Sequence, residues 1–436
     1  MSSDPIVELL SNEFRLHETG ERFTSPIESL VIADSLDGWE GDLLLGINFP
    51  TSPAIVCDPT TYDVLARRIA GAIPGATLTV LDKPRADEAT ATALFDQTRH
   101  ADALIAVGSG TLNDLAKYTS HQRRQPYAVF ATAPSMNGFV TATASITQGG
   151  EKLSLPATPP RGAFFDLAIL ADAPDRLIRA GVGDSLCRST AEIDWMVSHQ
   201  LFGTDFLETP FAIQARDEAN LLACIADLEL RNPETISALV RLLVLGGLGM
   251  LITGNSQPGS QGEHLISHYI DMLHRPHSGS LHGEQVGLAT RTMATLQHHL
   301  LTSDDPPVLA ATSTDLESLS QRFGRWHASA RAVMARKTLS KNRLNALNER
   351  LEACWPGLRA AFAAKALPIH QLQATFDIAG IADDPRDLGI APSFYREAVL
   401  HARELRDRYT VLDLATDGGL LDPFADRHLA KIFGET

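Results

Sequence analysis

The sequence predicts an α/β first half, residues 1–174, followed by an all-helical second half, residues 175–436. Two observations carry this. Between about residues 50 and 175, short apolar runs alternate with helix-like stretches, the pattern of a parallel sheet covered on both faces. After Pro174 the long stretches read as helices and few runs resemble strands. The strand candidates, in order, are Ala54–Cys57, Thr77–Leu81, Ala103–Val107, Ala128–Thr132 and Ala168–Leu170. Thr61–Ile73, Ala86–His100 and Thr111–Thr119 are the helices between them. The second half has helix candidates at Asp175–Phe202, Ile236–Thr253, Glu263–Met272, Gly283–Leu301, Leu316–Ala335 and Phe394–Tyr409. Ser303–Thr314 reads as an exposed loop, and Arg322–Arg350, with eight Lys/Arg against Glu349, as a solvated helical face.

Composition narrows the function. At 44% hydrophobic and 21% charged, the 436 residues suit a globular protein with a full-sized core, which rules out a disordered or fibrous chain. The net charge of −16 argues against generic nucleic-acid or anionic-membrane binding. Cys57, Cys187, Cys224 and Cys354 are scattered without a CxxC pair, so reduced thiols are expected. The N-terminus has no basic segment followed by an apolar run, so no signal peptide is expected, and the protein is expected in the cytoplasm. Ile236–Thr253 is apolar but short, carries Arg241 and contains Gly246-Gly247, which fits a buried core helix better than a membrane span. A homo-oligomer is expected.

The first chemical signal is Val107-Gly108-Ser109-Gly110-Thr111-Leu112-Asn113-Asp114-Leu115-Ala116-Lys117, which follows an apolar run and opens a helix. Gly108 and Gly110 let backbone approach a ligand, and the N–H groups of a helix N-terminus suit a pyrophosphate. The pattern is GxGxxxD rather than GxGxxG, and a tight loop would look the same. Asp58 ends the first strand; it can accept from a ribose 2′-hydroxyl, favouring NAD over NADP, or simply cap the next helix. A second loop, from Thr132 through Ala133, Pro134, Ser135, Met136, Asn137 and Gly138 to Thr141, follows another strand on the edge where such sheets bind ligands.

The second signal lies in Gly181–Asp184 and Gly262–Gly287, where five of the fifteen histidines fall between His264 and His282. His264 and His268 share a helical face. Asp184, His264 and His282 are the proposed ligands of a divalent metal, since a carboxylate and two imidazoles leave positions open for substrate. Such a metal polarises a carbonyl or stabilises an alkoxide.

With VGSGTLNDLAK, ATAPSMNGF, AGVGDSLCRSTAEIDW, GEHLISHYIDM, LHGEQVG and LRDRYTVLDLA in this order, the chain resembles the sn-glycerol-1-phosphate dehydrogenase family, within the iron-containing alcohol dehydrogenase and dehydroquinate synthase-like superfamily. The resemblance spans about residues 54–420 and implies a Rossmann-like N-terminal domain, a helical C-terminal domain and a site in the cleft between them. It places the metal, zinc most often, with nickel or iron as alternatives, on Asp184, His264 and His282. The dinucleotide falls on Gly108, Ser109, Gly110, Thr111 and Leu112, with second contacts at Thr132, Ala133, Pro134, Ser135 and Thr141. His268 matches a substrate-contacting histidine. The implied reaction is reversible reduction of dihydroxyacetone phosphate, a phosphorylated three-carbon substrate, by NADH or NADPH. One departure stands out: Asn137 replaces the family's Asp at a substrate-contacting position, keeping shape and a carbonyl acceptor but losing the charge needed for a base. The only phosphate-binding candidate is Lys152. The rival readings are an NAD- and metal-dependent sugar-phosphate cyclase, a dehydrogenase for another polyol, and a non-catalytic descendant.

Overall fold

The computed structural model describes residues 4–229, 231–312 and 314–433. The chain forms two compact units, Met1–Ser185 with Leu207–Ser256, and Leu186–Phe206 with Gln257–Thr436.

The first unit is built on strands β1 (Ser29–Ala33), β2 (Ala54–Cys57), β3 (Thr77–Val80), β4 (Leu104–Gly108), β5 (Tyr127–Ala131) and β8 (Gly162–Asp166), with a separate hairpin of β6 (Thr143–Gln148) and β7 (Glu151–Pro156). The six strands form one parallel sheet in the order β1-β8-β5-β4-β2-β3. Strands β2, β4, β5 and β8 are buried throughout, as expected where helices cover both faces. Two expectations change. Ala168–Leu170 is not a strand; it lies in the helix Leu167–Ala171, capped by Asp166, whose Oδ1 accepts from Ile169 N at 3.3 Å. A three-residue apolar run does not distinguish strand from helix. The strand beside β5 is the preceding GAFFD, and β1 and the hairpin were not anticipated.

The helix Pro233–Thr253 belongs to this unit. It is long and apolar enough to cross a membrane, yet most of it is buried against the helices Thr209–Ala212, Ala215–Cys224 and Leu167–Ala171 and the turn Gly138–Val140. A Cβ on Gly247 would stand 2.5 Å from the Asn137 carbonyl oxygen and 2.6 Å from Val140 Cγ2. The glycine is therefore what lets the Asn137 loop lie against the helix.

The second unit packs around Trp355, Tyr269, Tyr395 and Phe323, contributed by four different helices or their ends. Expected long helices are interrupted. Asp175–Phe202 divides into Asp175–Leu186 and Arg188–Phe202, and Leu316–Ala335 breaks at Gly324, which has φ +48°. Phe394–Tyr409 is helical only through Pro392–His401 before a short turn. The basic stretch is not wholly solvated: Lys337 is buried 2.8 Å from Asp413, which Arg403 also meets at 2.7 Å, and Arg322 reaches Glu404 at 2.8 Å.

Gly247→Ala is expected to force the Asn137 loop off its helix. Overpacking of this kind costs about 1–3 kcal/mol, read as a lower denaturant midpoint with an unchanged m-value.

Candidate active site

In the first unit, the sheet order puts β3 on one side of β2 and β4 on the other, so the connections leaving β2 and β3 run in opposite directions. Open α/β sheets bind ligands at the carboxyl ends of strands beside such a switch. A crevice of about 600 Å³ lies there, lined among others by Asp58, Lys83, Ser109, Thr111, Leu112 and Thr132. Gly108 ends β4 and the helix Gly110–Arg123 begins two residues later, presenting its N-terminus. A Cβ on Gly108 would stand 2.4 Å from Leu112 Cδ1, so the turn depends on glycine there.

Of the two readings of Asp58, the structure shows the helix cap. Its Oδ1 caps the following helix by accepting from Thr61 N at 2.8 Å, and the residue also lines the crevice. Lys83 was missed; it follows β3 on the same edge, and a lone lysine after a strand carries no motif. Ala133, Pro134, Ser135 and Thr141 do not line the crevice. Pro134 packs its carbonyl over Gly181, where a Cβ would stand 1.8 Å away, and Thr141 is a buried strut of its own loop.

That strut is organised by Lys117. The lysine is fully buried on the Gly110–Arg123 helix and donates to Gly138 O at 2.5 Å, Thr143 O at 3.0 Å and Thr141 Oγ1 at 3.1 Å. Burial pushes its ammonium down to about 8, against the attraction of Asp114 3.7 Å away. Asp114 Oδ2 in turn accepts from Ser145 N at 3.2 Å, tying β6 to the same helix. Next along the loop, Asn137 N donates to Asp184 Oδ2 at 2.7 Å, and Asp184 is 1% exposed. Position 137 therefore holds Asp184 through its backbone, a contact that the exchange of Asp for Asn leaves intact. Lys152 sits on hairpin strand β7, and nothing in the structure assigns it a phosphate.

In the second unit, His264 and His268 lie on the helix Gly262–Leu273 and His282 begins the helix His282–Leu301. Ring centroids are 5.1 Å apart for His264 and His282, 5.9 Å for His268 and His282, and 6.2 Å for His264 and His268. Their hydrogen bonds set which nitrogen carries the proton. His264 Nδ1 stands 2.9 Å from the Glu263 Oε1 acceptor, so Nδ1 donates and Nε2 holds the lone pair. Ser267 Oγ donates to Gln285 Oε1 at 2.8 Å, so it accepts from His282 Nδ1 at 3.1 Å, and again Nε2 holds the lone pair. The Gln285 amide is oriented by donating to Asp271 Oδ1 and Ser280 Oγ, both at 3.0 Å. His268 is the reverse. An arginine only donates, so His268 Nδ1, 3.3 Å from Arg406 Nη2, accepts and Nε2 carries the proton. Two imidazoles thus have the form that ligates metal, backed by oriented partners, and the third has the form of a donor. Glu263, Cys187 and His264 also lie within ligand distance of one another, but Glu263 receives the His264 Nδ1 proton and so orients the ring.

Residues 31–174 match the family described as iron-containing alcohol dehydrogenase. Glycerol-1-phosphate dehydrogenase [NAD(P)+] of Thermococcus kodakarensis is 31% identical over 272 residues, 61% of this chain and 77% of that protein. The chain belongs to this family. The enzyme of the same name from Bacillus licheniformis is 29% identical over 84% of this chain and 83% of that one. For the one from Halalkalibacterium halodurans, 32% identical, the match spans 64% of its length. Among solved structures, the fold is similar to glycerol dehydrogenase of Schizosaccharomyces pombe, with TM-score 0.60 and 16% identity over 97% of this chain and 95% of that one. Sulfoacetaldehyde reductase of Bifidobacterium kashiwanohense, solved with NAD+, also gives TM-score 0.60, at 15% identity over 93% and 98% of the two chains. Membership makes the chain an NAD(P)-linked alcohol dehydrogenase by class.

Lys117→Met is expected to leave the Gly138 and Thr143 carbonyls without their donor and to strand Asp114, a loss of roughly 3–5 kcal/mol in denaturant unfolding. Because the folded-state value, about 8, is below the ordinary 10.5, the unfolded chain binds more protons between them. This lysine's contribution to stability therefore rises with pH through that window, and the variant should lack the rise.

Proposed function

We propose that the chain reversibly reduces dihydroxyacetone phosphate to sn-glycerol 1-phosphate with NADH or NADPH. The observation that carries this reading is the pair of imidazoles 5.1 Å apart, each donating from Nδ1 to an oriented acceptor and so keeping its Nε2 lone pair. Asp184, His264 and His282 would hold a divalent metal, a mixed oxygen and nitrogen donor set suited to zinc, nickel or iron. Such an ion, when bound, polarises a carbonyl and stabilises the alkoxide formed on hydride addition.

The chain's own residues do the rest. Glu263 and Ser267 hold the two rings in ligating tautomers and orientations. His268 presents its Nε2 proton, and Arg406 keeps that tautomer, so the residue serves as a hydrogen-bond donor to a substrate oxygen. Asn137 is no base; its backbone N–H orients Asp184. Gly108, Ser109, Gly110, Thr111 and Leu112 cradle the dinucleotide pyrophosphate at a helix N-terminus, with Thr132 on the adjoining strand end. Asp58 accepts from a ribose hydroxyl and favours NAD, while Lys83 across the same crevice offers a cation to a 2′-phosphate, which supports use of both cofactors.

Purified protein is expected to carry about one divalent metal per chain by elemental analysis, lost in His264→Ala. Full activity without metal would remove the ligand assignment. NADH should be consumed stoichiometrically with dihydroxyacetone phosphate; recycling of the cofactor within a turnover would instead indicate a cyclase. Asp58→Ala should move the NADPH:NADH preference upward by about tenfold or more, since the carboxylate repels a 2′-phosphate.

A further inference from the structure

The helix Arg188–Phe202 supplies no metal, cofactor or substrate residue to the proposed reaction, yet one of its side chains meets three segments that build the histidine cluster. Asp194 is fully buried. Its Oδ2 accepts at 3.0 Å from Gly262 N, the first residue of the helix that carries His264 and His268. Its Oδ1 accepts from Gln297 Nε2 at 2.9 Å and from Val411 N at 3.2 Å. Gln297 stands on the helix that His282 begins. Val411 opens the helix Val411–Asp417, in the segment that brings Arg406 to His268. Burial and then the nearby charge of Glu263 raise the Asp194 carboxyl to about 8, and the three N–H donors oppose that rise. A buried carboxyl is costly unless its oxygens are met, so the three segments are held at one point. The approach is close. A Cβ on Gly262 would stand 2.8 Å from Asp194 Oδ2 and 2.5 Å from Met293 Cε, so the helix start reaches the carboxyl because it is glycine.

We propose that Asp194 is a positioning residue for the histidine cluster, fixing the start of the His264 helix against the helix of His282 and the segment of Arg406. The inference rests on the ligand assignment above and deepens it. Glu263 and Ser267 choose the tautomer of each ligating ring, whereas Asp194 fixes the backbones on which the rings stand. The spacing of two rings on two helices depends on how those helices are placed. Gly262 is two residues from His264, so a shift of the helix start carries the ring with it. Partners that orient metal-ligating groups in this way control affinity without touching the ion.

The test measures Zn2+ affinity of the metal-stripped full chain by competition with a chromophoric chelator, and the imidazole nitrogen shifts of the same metal-free protein by NMR. In Asp194→Ala, Zn2+ affinity should fall about tenfold to a hundredfold. The His264 nitrogen shifts, those of a single Nδ1-protonated form in wild type, should move toward tautomer-averaged values. Asp194→Asn keeps one acceptor oxygen and should recover part of the affinity. Gly262→Ala leaves the carboxyl in place but drives the helix start off it, so it should reproduce the loss, and it carries the test should Asp194→Ala not fold. Leu429→Ala, a core truncation on the helix Leu421–Phe433, should lower Tm and leave Zn2+ affinity unchanged. Wild-type affinity in folded Asp194→Ala or Gly262→Ala, or an equal fall in Leu429→Ala, overturns the positioning role. If wild type binds no Zn2+, the ligand assignment falls and the imidazole shifts decide the role by themselves: His264 shifts that move in Asp194→Ala uphold it, and unchanged ones overturn it.

Discussion

The ammonium of Lys117 is the constraint on which the arrangement at the first unit's strand ends depends. A buried lysine without acceptors is costly, so the chain must bring oxygens to it. Those oxygens come from Gly138, Thr141 and Thr143, all in the segment that follows β5. The lysine itself stands on the helix whose N-terminus lines the crevice at the strand ends. One side chain therefore ties that helix to the loop in which Asn137, beside Gly138, holds Asp184. Gly181 and Gly247 complete the arrangement from outside by leaving space for the Pro134 and Asn137 carbonyls.

The second unit works by hydrogen-bond direction. Imidazole has two nitrogens with opposite roles, and only a partner of fixed polarity decides between them. A carboxylate next to His264, a hydroxyl committed to Gln285 next to His282, and a guanidinium next to His268 give three rings two different proton placements. Ligation and proton donation can thus sit within 6.2 Å of each other without competing for the same nitrogen. Asn137 fits the same logic: the contact at that position which the structure displays is a backbone one, so the side-chain charge is not what holds Asp184.

Much of this was legible in the linear chain. The apolar runs at 54–57, 104–107 and 128–131 are strands, because fully buried parallel strands need unbroken apolar residues. The run at 77–80 is also a strand, with Thr79 buried and its neighbours exposed at the outer edge of the sheet. The glycine pair at 108 and 110 and the histidines at 264, 268 and 282 are visible as spacing. Less visible were β1, half-buried at the other sheet edge, and the hairpin, whose strands alternate weakly. The helices of residues 209–253 read like their helical successors but pack with the sheet, since period and apolarity do not say which partner a helix covers.

By itself, the sequence determined the parallel sheet, the glycine turn after β4 and the identity of the histidine cluster, because backbone preference and residue spacing are local properties. Tertiary structure alone decided that Lys117 braces the loop after β5, that Lys83 shares a crevice with Asp58, and that Arg406 sets the proton on His268 from 138 positions away. Those outcomes depend on the direction of hydrogen bonds and the desolvation of charge, which exist only once residues distant in the chain are packed together.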